Sequence, residues 1–233
     1  MPKRTVVSLS QDAYAPTMAL KKRKSAAKKP RMYPANGTVG KPRPFPTRMV
    51  ATLKYVETVS VTNSLTGVSS FNIACNSIYD PNLSGTGHQP YGHDTYATIY
   101  NQYTVLNSKI KVKPALGTST AALNWGVGIE DTVISTSAAD TWMERPTYVH
   151  RKHTTAYSPD AKELSLTWNR AKRFPREDLY RNLSAAFGAN PSELEVFNIV
   201  LQSFSGAALG TIYLTVEVEY TVEMYELQAL ASS

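Results

Sequence analysis

The sequence holds a single cysteine, Cys75, among 233 residues. A lone thiol closes no intramolecular disulfide, so the fold is expected to stand without an oxidising compartment, with Cys75 serving as a small buried apolar residue. No apolar run approaches the roughly 18 residues of a membrane span. The basic N-terminus has no apolar stretch behind it, so no secretory signal is expected. The triplets beginning at Asn36, Asn82 and Asn182 are accordingly read as chance matches to a glycosylation pattern. Catalytic patterns are missing too: there is no G-x-x-x-x-G-K-[S/T], G-x-S-x-G, H-E-x-x-H or G-x-G-x-x-G. No enzyme activity and no cofactor are expected.

Acidic residues are scarce at one end. The first fifty residues carry 12 of the 25 Lys and Arg and one acid, Asp12, a formal charge of +11. Residues 51–233 carry 13 basic and 17 acidic side chains, a net of −4. A charge block with few apolar residues builds no core, but it neutralises phosphates. Residues 1–48 therefore read as a disordered or extended arm. Its basic residues are Lys3, Arg4, Lys21, Lys22, Arg23, Lys24, Lys28, Lys29, Arg31, Lys41, Arg43 and Arg48, the candidate nucleic-acid-binding set. Prolines at 30, 34, 42, 44 and 46 forbid a regular helix there. The run Lys21-Lys22-Arg23-Lys24 also fits a nuclear import signal.

Residues 49–233 are expected to form one domain, long enough for one well-buried core. Aromatics make up 10% of the chain, 14 of them Tyr, which suits a β-rich globule. From Met49 the apolar residues alternate with period two. Eight strands are expected at 49–62, 68–75, 103–113, 121–130, 147–154, 161–169, 194–204 and 210–226. In the last, Ile212, Leu214, Val216, Val218, Tyr220, Val222 and Met224 share one face, while Thr215, Glu217, Glu219, Thr221 and Glu223 share the other. A turn at 63–67 joins the first two strands, and long loops fill 76–102, 131–146 and 170–193. Short helices are expected within His93–Gln102 and over Arg176–Phe187. Strands with such uneven connections fit a double-sheet jelly roll better than an up-and-down barrel.

Several stretches resemble capsid proteins of circular, Rep-encoding single-stranded DNA viruses, the circovirus-like agents. They are Asn76-Ser77-Ile78-Tyr79-Asp80-Pro81-Asn82, Gln89-Pro90-Tyr91-Gly92, the run from Tyr100 to Val112, and Gly210-Thr211-Ile212-Tyr213-Leu214-Thr215-Val216-Glu217-Val218-Glu219-Tyr220. The last also resembles the final strand of small RNA plant-virus capsids. The resemblance covers the layout of the whole chain but only about 50 residues in wording. It implies an eight-stranded antiparallel jelly roll with sheets B-I-D-G and C-H-E-F. It further implies self-association, most simply into 60 copies (a T=1 shell), packaged single-stranded DNA, and a virion location after assembly in the host nucleus. No membrane partner is implied. Two alternatives are a coat protein for single-stranded RNA and a non-viral nucleic-acid-binding β domain with a basic tail.

Other groupings have two readings each. Lys109, Lys111 and Lys113 share one strand face, either as a stripe facing nucleic acid or as cross-strand partners of Glu217, Glu219 and Glu223; the paired reading is preferred. Arg170, Lys172, Arg173, Arg176 and Arg181 form either a polyanion patch or subunit-interface salt bridges. Tyr79, Tyr91, Tyr96, Tyr100 and Tyr103 read as interface residues rather than base-stacking platforms. His88, His93 and Asp94 fall in one loop and His150 and His153 point to opposite strand faces, so no metal site is expected. Glu130-Asp131 and Asp140 are calcium-compatible acids or ordinary loop acids. Gly126 and Gly128, inside an apolar strand, point to close backbone packing.

Overall fold

The computed structural model describes residues 44–62, 68–115, 122–134, 141–153, 163–176, 182–203 and 210–229. Nine strands and three short helices fall within them. The strands are β1 (Arg48–Thr62), β2 (Val68–Ala74), β3 (Tyr100–Ala115), β4 (Leu123–Glu130), β5 (Tyr148–His153), β6 (Leu164–Asn169), β7 (Ser184–Ala186), β8 (Val196–Ser203) and β9 (Thr211–Leu227). The helices are α1 (His93–Ala97), α2 (Thr141–Glu144) and α3 (Arg170–Arg173).

Two antiparallel sheets result. One runs β1-β9-β3-β6, with β7 also pairing to β3; the other runs β2-β8-β4-β5. With the eight expected strands lettered B to I, these orders are B-I-D-G and C-H-E-F, which is a jelly roll. The ninth strand, β7, is a second piece of the G edge. It pairs with the first half of β3, Gln102–Thr104, while β6 pairs with Asn107–Val112.

The period-two alternation explains the first sheet. From Ile212 to Met224 every second residue of β9 is buried, and Leu214 through Met224 on that face have no exposed surface. Leu53, Tyr55, Val59 and Val61 of β1 and Ile110 and Val112 of β3 join them in one core. Each such aliphatic side chain, fully buried, contributes about 1.5–3 kcal/mol.

The second sheet departs from alternation. Leu123–Gly128 and Val196–Leu201 are buried without a break, because this sheet is covered on both faces. Its outer cover is the segment expected to be a plain loop. Ile134 and Trp142 pack there against Val68, Tyr148 and Val200 in a second, smaller cluster. Asn198 pins the cover: its Oδ1 accepts from Ile134 N at 3.1 Å and its Nδ2 donates to Thr132 O at 3.0 Å. The Trp142 indole N–H donates to Gln202 Oε1 at 2.7 Å.

Polar ties also join the sheets. Tyr220 of β9 donates to Ala74 O at 2.7 Å, and Ser108 of β3 donates to Cys75 O at 2.6 Å. Cys75 is fully buried, as expected of a small apolar residue, and burial pushes its thiol well above the ordinary range.

Some boundaries differ from the sequence reading. β3 opens at Tyr100, three residues before the expected strand 103–113, and α1 supplies the helical turn expected within His93–Gln102. The helix expected over Arg176–Phe187 is corrected: Ser184–Ala186 is a strand, and residues 177–181 lie outside the described set. Edge pairing overrides local propensity, since Ala185 is buried opposite Tyr103 and the Ser184 and Thr104 hydroxyls lie 2.7 Å apart.

Gly126 bears out the close-packing reading. A Cβ there would lie 2.5 Å from the Trp142 ring and 2.7 Å from the Val149 carbonyl oxygen. One contact is backbone and the other a fully buried ring, so neither yields cheaply. Gly126→Ala is expected to destabilise the unassembled protein by about 1–3 kcal/mol in urea unfolding. An unchanged midpoint would show that the outer cover is not seated as described.

Candidate nucleic-acid interface

Of the twelve arm cations, only Arg48 lies among the described residues. It opens β1 opposite Tyr225, donates to Glu223 Oε1 at 3.1 Å, and holds its guanidinium carbon 5.6 Å from the Tyr225 ring centre. Lys3, Arg4, Lys21, Lys22, Arg23, Lys24, Lys28, Lys29, Arg31, Lys41 and Arg43 lie outside the described residues.

The outward face of the β1-β9-β3-β6 sheet carries the lysine stripe. Ile110 and Val112 are buried, while Lys109 and Lys113 are exposed and Lys111 is half-buried. Strand register sets Lys109 opposite Glu219, Lys111 opposite Glu217 and Lys113 opposite Thr215. On the other edge of β9, Lys54 faces Glu219. The ammonium groups converge on one carboxylate: Lys54 Nζ lies 3.0 Å and Lys111 Nζ 3.5 Å from Glu217 Oε1. The Lys54 hydrogen bond holds the Glu217 carboxyl below the usual range, and Lys111 adds to this. The paired reading thus holds for Lys111. Glu223 turns to Arg48 instead of the stripe, and Lys113 meets a threonine.

In the loop cluster Lys172, Arg173 and Arg176 are exposed and Arg170 is half-buried. Asn169 caps α3 by accepting from Lys172 N at 3.1 Å. Arg173 Nε donates to Glu195 Oε2 at 2.8 Å, a carboxylate only 3% exposed. Burial raises the Glu195 carboxyl above its ordinary range, and Arg173 partly offsets this. Arg170 and Arg176 have partners as well. Arg181 lies outside the described residues.

The tyrosines divide. Tyr100 and Tyr103 are fully buried, which corrects their reading as interface residues. Tyr100 donates to Pro46 O at 3.0 Å and Tyr103 to Ala189 O at 2.8 Å. Burial pushes the Tyr103 hydroxyl up to about 12. Tyr79 and Tyr96 are half-buried, and Tyr91 is 93% exposed. Both Glu130 oxygens are taken by Arg145, so that carboxylate is a salt-bridge partner and not an open calcium ligand. Among the described residues no three His, Cys, Asp or Glu side chains gather as a metal site, and no helix is long and apolar enough to cross a membrane. Asn82 is buried and donates to Glu57, so its triplet is not displayed.

Sheet order and register define the chain as a jelly-roll β-sandwich. No protein-family profile matches it, and no curated protein matches it. Solved structures that it resembles include a mud crab tombus-like virus (11% identity, 84% of this chain and 96% of that one, TM-score 0.49). A Macrobrachium rosenbergii nodavirus virus-like particle is another (11% identity, 92% and 100%, TM-score 0.47). A third is the BFDV capsid protein in a 60-mer (10% identity, 81% and 100%, TM-score 0.42). Likeness at this level assigns no function to the chain.

Two carboxylates make opposite pH signatures. The folded-state pKa of Glu217 is lowered, so its contribution is present above the unfolded value near 4.5 and lost as pH falls through the folded one. That of Glu195 is raised, so its contribution is present below the unfolded value near 4.5 and lost as pH rises through the folded one. From pH 3 to pH 7, as a window of about those limits, Glu217→Gln should lose stability relative to the parent and Glu195→Gln should gain it. Urea midpoints measured across that range test this; slopes of the same sign for both would contradict the assignment.

Proposed function

We propose that the chain is a viral capsid protein whose β body self-assembles into a small icosahedral shell and whose basic arm packages single-stranded nucleic acid. One observation supports this above the others: the charge is divided between parts. The first fifty residues hold +11, while residues 51–233 hold −4. On the body, Lys54, Lys111, Arg145 and Arg173 have carboxylate partners. A body of this kind suits packing against copies of itself. An arm of this kind suits phosphate neutralisation without base reading.

A single jelly roll per chain most simply makes a shell of 60 copies, whose arms would bring roughly 660 positive charges to the genome. Single-stranded DNA is the preferred cargo because the sequence resemblance is to circovirus-like capsid proteins. The Lys21–Lys24 run would then serve nuclear import before assembly, and the mature location would be the virion. Phosphate chemistry is common to RNA, so cargo identity is an outcome of the test.

The test is removal of the arm. Pro46 accepts from Tyr100 and β1 opens at Arg48, so residues 1–43 are the segment to delete. The truncated body is expected to fold and to lose its copurifying nucleic acid, read from ultraviolet absorbance ratio. DNase or RNase digestion of nucleic acid released from the full-length particle identifies the cargo. A truncated protein that packages as much nucleic acid as the full chain would contradict the mechanism.

A further inference from the structure

Tyr91 stands 93% exposed on a loop that is otherwise held closely to the body. Its backbone N–H donates to Lys54 O at 3.3 Å, along the edge of β1 that β9 leaves open. Just beyond it, His93 N donates to Pro90 O at 3.0 Å and Tyr96 N to Gly92 O at 3.1 Å. Gly92, with φ of 90°, makes the left-handed turn that leads from Tyr91 into α1. Upstream, the His88 ring stacks on Tyr55 of β1 with centres 4.7 Å apart. A lone exposed apolar side chain is ordinary. One mounted on a fixed backbone is a ready anchor, because docking it orders little beyond the side chain itself. Asp94 follows on the same loop, its carboxylate 92% exposed.

The matching feature lies across the sandwich. β1 runs beside β2 at one side of the two sheets, and β6 beside β5 at the other. Between the start of β5 and the end of β6 is a cleft of about 310 Å³. Ile129, Pro146, Leu166 and Trp168 give it apolar walls, and Thr147 and Thr167 give it hydroxyls. Its size is at the small end of ligand sites, roughly 300–1,000 Å³, which suits a single ring. Lys172 and Arg173 are its charged residues, with no acid among the lining. Arg173 is taken by Glu195, whereas Lys172 is exposed and has no carboxylate partner among the described residues. The cleft therefore suits an aromatic ring with a polar tip, accompanied by a carboxylate. The Tyr91 loop offers that combination: a ring for the apolar walls, a phenol for the threonines, and Asp94 for Lys172. Tyrosines in such positions are frequent interface anchors. A knob at one edge and its socket at the opposite edge of the same body do not meet within one chain. They meet between copies, in a head-to-tail contact of the kind that closes into rings.

We propose that the Tyr91–Asp94 loop of one copy docks in the β5–β6 cleft of the next, with the Tyr91 ring against Pro146 and Leu166 and Asp94 paired to Lys172. The partner is a second copy of the chain, so the inference rests on the capsid reading and names a contact through which the bodies associate.

The test is sedimentation velocity on the full-length protein over a concentration series, comparing the parent with Tyr91→Ala, Thr167→Arg, Asp94→Lys, Lys172→Glu and the last two combined. Thr167 is exposed, so an arginine there obstructs the cleft without entering the core. Tyr91→Ala and Thr167→Arg should each raise the concentration at which assemblies form by about tenfold or more, the loss typical of an interface anchor. Asp94→Lys and Lys172→Glu should each raise it about threefold or more, and the double variant should return close to the parent value, as a direct charge pair requires. The urea midpoint of the unassembled chain should not move in Tyr91→Ala, because that ring touches little of its own subunit. Parent assemblies that persist unchanged in Tyr91→Ala overturn this contact and leave the capsid reading standing. Charge variants whose effects add in the double variant instead of cancelling also overturn it. A parent that stays monomeric at every concentration overturns both.

Discussion

β9 is paired along both edges for most of its length, to β1 on one side and β3 on the other, and the rest of the fold depends on that double pairing. From Thr211 to Tyr225 its residues alternate without interruption. One side of the strand therefore supplies the centre of the core and the other a row of Thr, Glu and Tyr. A slip of one residue would turn Val216, Val218 and Val222 to solvent and Glu217 and Glu219 into the sandwich, so the register is strongly specified. Once β9 is placed, β1 and β3 are placed, and with β3 come both pieces of the G edge. The Tyr220 and Ser108 hydroxyls then hold the end of β2, and with it the second sheet, at a fixed distance.

The same strand sets the electrostatics of the body. Glu217 lies between Lys54 of β1 and Lys111 of β3 and meets both. Glu223 takes Arg48. Exposed pairs of this type add little to stability, about 0.2–1 kcal/mol each. Their larger effect is on the field of the sheet. Cations in contact with carboxylates are poor phosphate partners, because a phosphate must displace an existing ion pair. The buried Glu195 similarly takes the exposed Arg173 of the loop cluster. By sequence, the excess of cations over acids is concentrated in the first fifty residues, where 12 cations meet one acid.

Much of this architecture was legible in the sequence, for identifiable reasons. β9, β1 and the second half of β3 have one buried and one solvated face, and period two is then visible in the residues themselves. The sheet orders were implied by resemblance alone, and the structure bears them out. What escaped was structure made by tertiary contact. Segment 131–146 reads as a polar loop, yet Trp142 is fully buried and covers the second sheet; only its indole, isolated in a polar stretch, hinted at this. β7 is three residues long and looks helical locally, because its pairing partner lies eighty residues away. Nor does spacing along the chain show that His93 is buried with its Nε2 unpartnered.

In the function proposed above, body and arm divide the labour of a shell: one packs against copies of itself, the other holds the cargo. Electron cryo-microscopy of the purified full-length protein after nuclease treatment tests it most directly. The account predicts closed icosahedral particles of jelly-roll subunits with protected nucleic acid inside. Monodisperse single chains that bind nucleic acid in solution and build no shell would contradict it.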